Sequence, residues 1–255
     1  MCSSQDSSQR NLLITISYDG SKFHGWQIQN NAITVQEVFQ NALYKIVGCK
    51  PDIKACSRTD TGVHAEMFCI SVRLIHPIPC IRLKAALNSY LPDSVVVLDV
   101  KEVDIDFHAR YNAKGKRYVY RILNRQERDP FFVGRALHYR YNIDVELLNK
   151  AAKAYIGSHD FTSFCTLDKR EKGDFVRTVK DFTVTRKGDM VELSVEADGF
   201  LYNMVRIMVG TLLSINEGKH APDSIPDIIK AENRDAAGPT APPHGLYLQE
   251  VFYDF

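Results

Sequence analysis

The stretch Cys56 to Ala65, reading CSRTDTGVHA, puts a guanidinium, a carboxylate and an imidazole around one short turn. Arg58, Asp60 and His64 are the groups able to do chemistry there. Gly62 permits a positive φ that a β-branched residue resists, and Thr59 and Thr61 flank the carboxylate. The pattern therefore predicts a sharp loop with Asp60 held outward. A carboxylate presented in this way can act as a nucleophile. The competing structural reading is an Asx-turn, in which Asp60 caps its own backbone.

The elements that must position this loop follow from periodicity. Asn11 to Tyr18 alternates as a half-buried strand, ending in a turn at Asp19-Gly20. The segment Phe23 to Gln29 holds the only tryptophan, and it is either a surface that stacks and hydrogen-bonds or a loop pinned by a core Trp26. Thr34 to Val47 is the clearest helix, with Thr34 and Glu37 as a capping box and Gly48 as its stop. Met67 to Leu74 reads as a strand, Ile81 to Leu91 as a helix and Val95 to Val103 as a strand. Residues 1 to 10 are rich in Ser and Gln and read as a frayed end.

The second half begins at His108-Ala-Arg-Tyr-Asn. Lys116 to Asn124 alternates as a strand, with Tyr118, Tyr120 and Ile122 on one face and Arg117 and Arg121 on the other. Rings beside arginines suit an RNA groove, and they equally suit an ordinary tyrosine-rich sheet with solvated arginines. A helix is predicted over Val145 to Tyr155, capped by Asp144. The charged run Lys169 to Lys172 reads as a solvated loop, and Thr178 to Arg186 with Val191 to Ala197 as a hairpin around Gly188. Met204, Ile207, Met208, Thr211, Leu212 and Ile215 recur at helical spacing, which makes the methionines core. Arg206 lies among them near the helix start, where a cation requires a carboxylate partner, with Asp60 as the candidate. A strand from Leu246 to Tyr253 closes the chain. Strands and helices in this succession indicate an α+β sheet protein rather than a doubly wound one.

Composition removes other classes. The chain has 255 residues, 45% of them hydrophobic, enough for one large core or two smaller ones. No apolar run reaches the ~18 residues that span a bilayer, so no membrane association is expected. Six cysteines at 2, 49, 56, 69, 80 and 165 form no C-x-x-C pair and no zinc-finger pattern. They read as free thiols of a reducing cytoplasm. The net charge of +1 hides a separation: His108 to Arg128 holds seven Lys or Arg against one Glu, while Glu217 to Ala237 holds five acids against three bases. A basic face for a polyanionic partner is therefore compatible with a balanced total.

Five segments in order, YDGSKFHGWQIQ, SRTDTGVHA, FHARYNAKGKRYVYRI, DGFLYNMVRIMVGTLL and GLYLQEVFY, resemble the tRNA pseudouridine synthase A (TruA) family over nearly the whole chain. The resemblance implies two α/β domains, residues 1–109 and 110–255, sharing a continuous, mainly antiparallel sheet with a basic cleft. It also implies a cytoplasmic homodimer that binds tRNA and isomerises uridine in the anticodon arm, at family positions 38 to 40. By the same resemblance Asp60 is catalytic, Arg58 helps turn the nucleotide out, and Tyr118 contacts the flipped uracil. Arg206 is the cation paired to Asp60, and Leu246 lines the uracil pocket. The isomerisation breaks N1–C1′ and rejoins the base through C5 with no net redox change, so no cofactor or metal is implied. Ser57 and Thr61 depart from the family's usual small residues, and the family's Gln-Val pair is absent after Ala65.

Two rivals come from the residues themselves. Asp60-Thr61-Gly62 matches an aspartic-protease triplet, but that chemistry needs two carboxylates sharing a proton, and no second triplet is present. A non-catalytic RNA-binding protein would use the same basic and aromatic segments, yet would gain nothing from a carboxylate placed among phosphates.

Overall fold

The computed structural model describes residues 9–166 and 173–255; the Lys169–Lys172 run and residues 1–8 of the N-terminal stretch lie outside them. In chain order the elements are β1 (Arg10–Tyr18), α1 (Val35–Val47), β2 (Ile53–Ala55), β3 (His64–Leu74), α2 (Cys80–Tyr90), β4 (Val95–Val103), β5 (Gly115–Leu123), β6 (Leu137–His138) and α3 (Val145–Ala152). They continue with β7 (Gly157–Asp160), β8 (Val176–Lys187), β9 (Met190–Ala197), α4 (Met204–Asn216), α5 (Ile225–Lys230) and β10 (Leu246–Phe252). This is a mixed α+β protein with a large, mostly antiparallel sheet, the class that the sequence predicts.

The chain divides into two compact units. The first comprises the described part of Met1–Lys114 together with Leu248–Phe255, and the second is Gly115–Tyr247. In the first unit the strand order is β4-β1-β3-β10, with β2 paired to β3. Helix α1 starts where Thr34 Oγ1 accepts the Glu37 N–H at 3.3 Å, and it stops at Gly48, whose φ of 75° is left-handed. Such a cap is worth about 1 kcal/mol. Its inward stripe buries Val35, Phe39, Ala42 and Leu43. Each large apolar side chain so buried contributes roughly 1.5–3 kcal/mol.

In the second unit the order is β5-β9-β8-β7, and the short β6 adds a parallel pairing, Ile122 opposite Leu137. Gly188 turns the β8–β9 hairpin at φ 58°. Helix α4 is apolar nearly all round and buried from Ile207 to Ile215, so its methionines are core as their spacing predicts. A Cβ on Gly210 would collide with the Pro239 carbonyl oxygen, so glycine is what lets the 238–241 segment lie against the helix. Thr211 Oγ1 accepts the Gly238 N–H at 2.9 Å and secures that contact.

The helix predicted over Val145 to Tyr155 is α-helical only to Ala152 and finishes as a 3-10 turn, Lys153–Tyr155. Strands β2, β6 and β7 run two to four residues, too short for alternation to reveal. No helix among the described residues is long and apolar enough to cross a membrane. No disulfide joins the described cysteines at 49, 56, 69, 80 and 165.

Candidate active site

The Asp60 loop is the connection from β2 to β3. The ladder that pairs Ala55 with Ile70 runs one step further, because Cys56 N–H donates to the Cys69 carbonyl at 2.8 Å and Cys69 N–H to Cys56 Sγ at 3.3 Å. Burial pushes the Cys69 thiol up to about 11, so it stays protonated and inert at the base of the loop. Beyond it the chain turns outward. Arg58 is exposed, Thr59 buried, Asp60 half-buried and Thr61 exposed. Val63 N–H donates to the Asp60 carbonyl at 3.1 Å, closing a four-residue turn whose third residue, Gly62, has φ 78°. The predicted sharp turn is present, with glycine where positive φ is needed.

Residues 18–26 brace this turn from beneath. The Tyr18 hydroxyl lies 2.8 Å from Thr59 Oγ1. Trp26 N–H donates to the Thr59 carbonyl at 3.1 Å, and Gly62 N–H to the Phe23 carbonyl at 3.3 Å. Gly25, at φ 80°, presses its α-carbon against the backbone of Thr59 and Asp60. The carbonyls of Gly25 and Trp26 accept N–H groups of Val35 and Gln36, donors that a first helical turn leaves open. Thus α1 anchors residues 25 and 26, and these anchor the carboxylate loop. Of the two readings of the Trp26 segment, the core one holds: Trp26 is 2% exposed, its ring 4.4 Å from that of Phe68.

His64 does not share the open turn with Asp60. Its ring is buried, and Nδ1 accepts the Gly20 N–H at 3.0 Å, which leaves the ring proton on Nε2, with Asp19 Oδ1 3.3 Å from Nδ1. It fastens the start of β3 to the Asp19-Gly20 turn. Thr61 is exposed, and the Ser57 hydroxyl donates to the neighbouring Arg58 carbonyl at 3.3 Å. Of these departures from the family pattern, Thr61 lies on the outside of the loop and Ser57 is half-buried at its start.

Tyr118, Arg206 and Leu246 belong to the second unit. Tyr118 on β5 is mostly buried and meets Phe200 edge-on at 5.0 Å. Asn203 caps α4 in the left-handed region, φ 62°, which asparagine tolerates. Its Oδ1 accepts from Arg206 at 2.7 Å, and Arg206 Nε donates to the Ala241 carbonyl at 2.7 Å. Ala241 N–H returns a bond to the Arg206 carbonyl at 3.0 Å. The Tyr120 hydroxyl donates to the Pro242 carbonyl at 2.8 Å, and Gly245 lies flat on the Tyr120 ring, where a Cβ would come within 2.7 Å. The segment 241–246 is thus clamped between α4 and β5, and this fixes the buried Leu246. His244, in the same segment, is held below the ordinary histidine range by burial and then by the Arg206 charge, so it is neutral near pH 7. Sequence reading gave His244 no part, because one histidine in a Pro-rich turn carries no periodic signal.

On the basic strand both arginines have acidic partners. Arg117 and Arg121 face Glu196 and Glu192 directly across β9, with ion pairs of 2.8 Å and 3.0 Å, and Arg121 also lies 4.2 Å over the Tyr247 ring. Tyr120 is fully buried. Arginines already matched by carboxylates neutralise little phosphate charge and so displace few of the cations condensed on the RNA. Replacing Arg117 and Arg121 together with Gln should change the slope of log Kd against log salt by less than the value of about 0.9 for one phosphate contact. Filter binding of tRNA across a salt series reads this directly; a change near two contacts would show that both arginines leave their glutamates for RNA.

A profile described as tRNA pseudouridine synthase matches residues 14–112 and 151–254, segments that include the Asp60 loop, Arg206 and Leu246. The chain belongs to that family. It is 46% identical over 244 residues to the tRNA pseudouridine synthase A of Thermoanaerobacter sp. (strain X514), covering 96% of this chain and 100% of that protein. The enzyme of the same name from Acetivibrio thermocellus is 45% identical with the same coverage. That of Halalkalibacterium halodurans is 45% identical, over 91% of this chain and 89% of the relative. The family is one of isomerases, and the likeness spans both units.

Proposed function

We propose that this protein converts uridine to pseudouridine in the anticodon arm of tRNA, at family positions 38 to 40, with Asp60 as the essential carboxylate. Arg58, exposed two residues before Asp60, assists extrusion of the nucleotide. Tyr118 supplies a ring to the flipped uracil and Leu246 an apolar wall, while Arg206 is the cation that the family resemblance pairs with Asp60. The observation that carries the reading is a half-buried carboxylate on a fully braced loop, in a chain alike over its length to tRNA pseudouridine synthases A. A paired base cannot be reached inside a stem, so it must be flipped out at a cost of a few kcal/mol, offset by contacts to the RNA backbone. In the reaction C5 gives up a proton, N1 gains one and the glycosidic carbon changes partner. One ionised carboxylate suffices to open that exchange, and no electrons are transferred. The same reading makes the protein a cytoplasmic homodimer, which light scattering of the purified chain checks.

The experiment is a map of pseudouridine in tRNA from cells with and without this protein. Loss confined to the anticodon arm, in tRNAs of differing arm sequence, is the expected result. Loss at another position would keep the chemistry and change the substrate. No loss in any RNA would favour the RNA-binding alternative.

A further inference from the structure

The hydroxyl pair beneath the loop has a consequence for the reaction. Thr59 is buried and its neighbour Asp60 half-buried, so whatever fixes Thr59 also helps to place Asp60. Thr59 is fixed twice: its carbonyl accepts the Trp26 N–H at 3.1 Å and its Oγ1 meets the Tyr18 hydroxyl at 2.8 Å. Residue 60 is held in turn through its carbonyl, by Val63 N–H. Of these contacts, the Tyr18–Thr59 bond is the one made between side chains, and it lies almost out of water, with Tyr18 4% and Thr59 8% exposed.

A core at this point needs no hydroxyls. Phenylalanine and valine fill the same volumes without having two polar groups to desolvate, so what the hydroxyl pair adds is direction. The backbone is also shaped to deliver it. Between the pairs Ile16–Phe68 and Tyr18–Ala65 the register slips by one residue, β3 spending three where β1 spends two. Irregularities of this kind re-aim a side chain at a strand end. Tyr18, the last residue of β1, is set edge-on to Phe68 at 5.6 Å with its hydroxyl on the loop.

We propose that Tyr18 is a positioning residue for the reaction, its hydroxyl orienting the Asp60 carboxylate through Thr59. This rests on the reading of Asp60 as the essential carboxylate. The test is a double-mutant cycle on tRNA turnover with Tyr18→Phe, Thr59→Val and the pair, alongside Thr59→Ser. Misplacing a reacting group by a fraction of an ångström costs about tenfold. Each single variant should lose about that much in kcat with KM and tRNA affinity within twofold. The double variant should lose no more than either single, because both remove one bond. Thr59→Ser, which keeps the hydroxyl, should stay near wild type. Additive losses, an unchanged kcat in Tyr18→Phe, or a rise in KM in place of the fall in kcat would overturn the proposal.

An activity-independent measurement separates this from the functional reading. Amide exchange at Gly62 and Val63, whose N–H groups close the loop, should quicken in Tyr18→Phe and stay unchanged in Phe182→Leu, a core variant of the other unit. Unchanged exchange in Tyr18→Phe would overturn the positioning role. A wild-type protein inactive on every tRNA, with exchange altered as expected, would sink the catalytic reading and leave the brace standing.

Discussion

Asp60→Asn is expected to form no measurable pseudouridine in tRNA while binding that tRNA as well as the parent protein does. The substitution keeps the volume and one acceptor oxygen but removes the negative charge that a nucleophile or proton acceptor requires. Removing a group on which the chemical step depends costs on the order of 10⁴-fold or more in turnover. The backbone contacts that brace the loop, through the Asp60 and Thr59 carbonyls and the Gly62 N–H, are ones that asparagine keeps. Turnover assayed by tritium release from C5 of labelled uridine, beside a tRNA titration, gives both numbers. Residual activity within a hundredfold of wild type would remove Asp60 from the essential role, and a loss of tRNA affinity equal to the loss of turnover would make it a binding residue.

How much of this was legible beforehand divides by the range of the interactions involved. The α1 boundaries were readable because Thr34, Glu37 and Gly48 act within a few residues of the helix ends. The turn at Asp60 was readable because Gly62 announces its positive φ. What the sequence withheld was the identity of the supports. Tyr18 looked like one more alternating strand residue, and nothing within ten positions of it indicates a bond to Thr59, 41 residues away. Gly25 looked like loop punctuation, whereas it is a point of backbone contact with a distant turn. The arginines of β5 stayed open to two readings, cations for phosphate or a solvated face, because their acidic partners, Glu192 and Glu196, stand more than 70 residues later and are matched only by strand register. Local chemistry was visible; pairings across the sheet were not. The same limit explains His64, which reads as a reactive base beside Asp60 until the fold shows its ring turned inward to Gly20.

Gly25→Ala is the variant in which such a hidden support should have the largest effect. Two costs arise together. Alanine at φ 80° carries left-handed strain of about 1–2 kcal/mol. Its Cβ would also overlap the Thr59 carbonyl oxygen, with Asp60 C at 3.1 Å and Thr61 N at 3.3 Å. Those atoms are backbone, so no flexible side chain can swing aside. Residue 25 is itself fixed from behind, since its carbonyl accepts the Val35 N–H of α1 and Trp26 is locked against Phe68. The part left to move is the Asp60 loop. A displacement of about 1 Å at a reacting group costs about 10²-fold, so kcat should fall by that order while tRNA affinity, set by phosphate contacts spread over the surface, holds within a few-fold. Gly48→Ala is the matched control. It sits at φ 75° with nothing within 4 Å of its added methyl, so it bears the strain without the collision. Gly48→Ala should lose only the stability that the strain costs, Gly25→Ala more, and only Gly25→Ala should lose turnover. Equal kcat in the two would show that the Asp60 loop does not depend on Gly25 for its place.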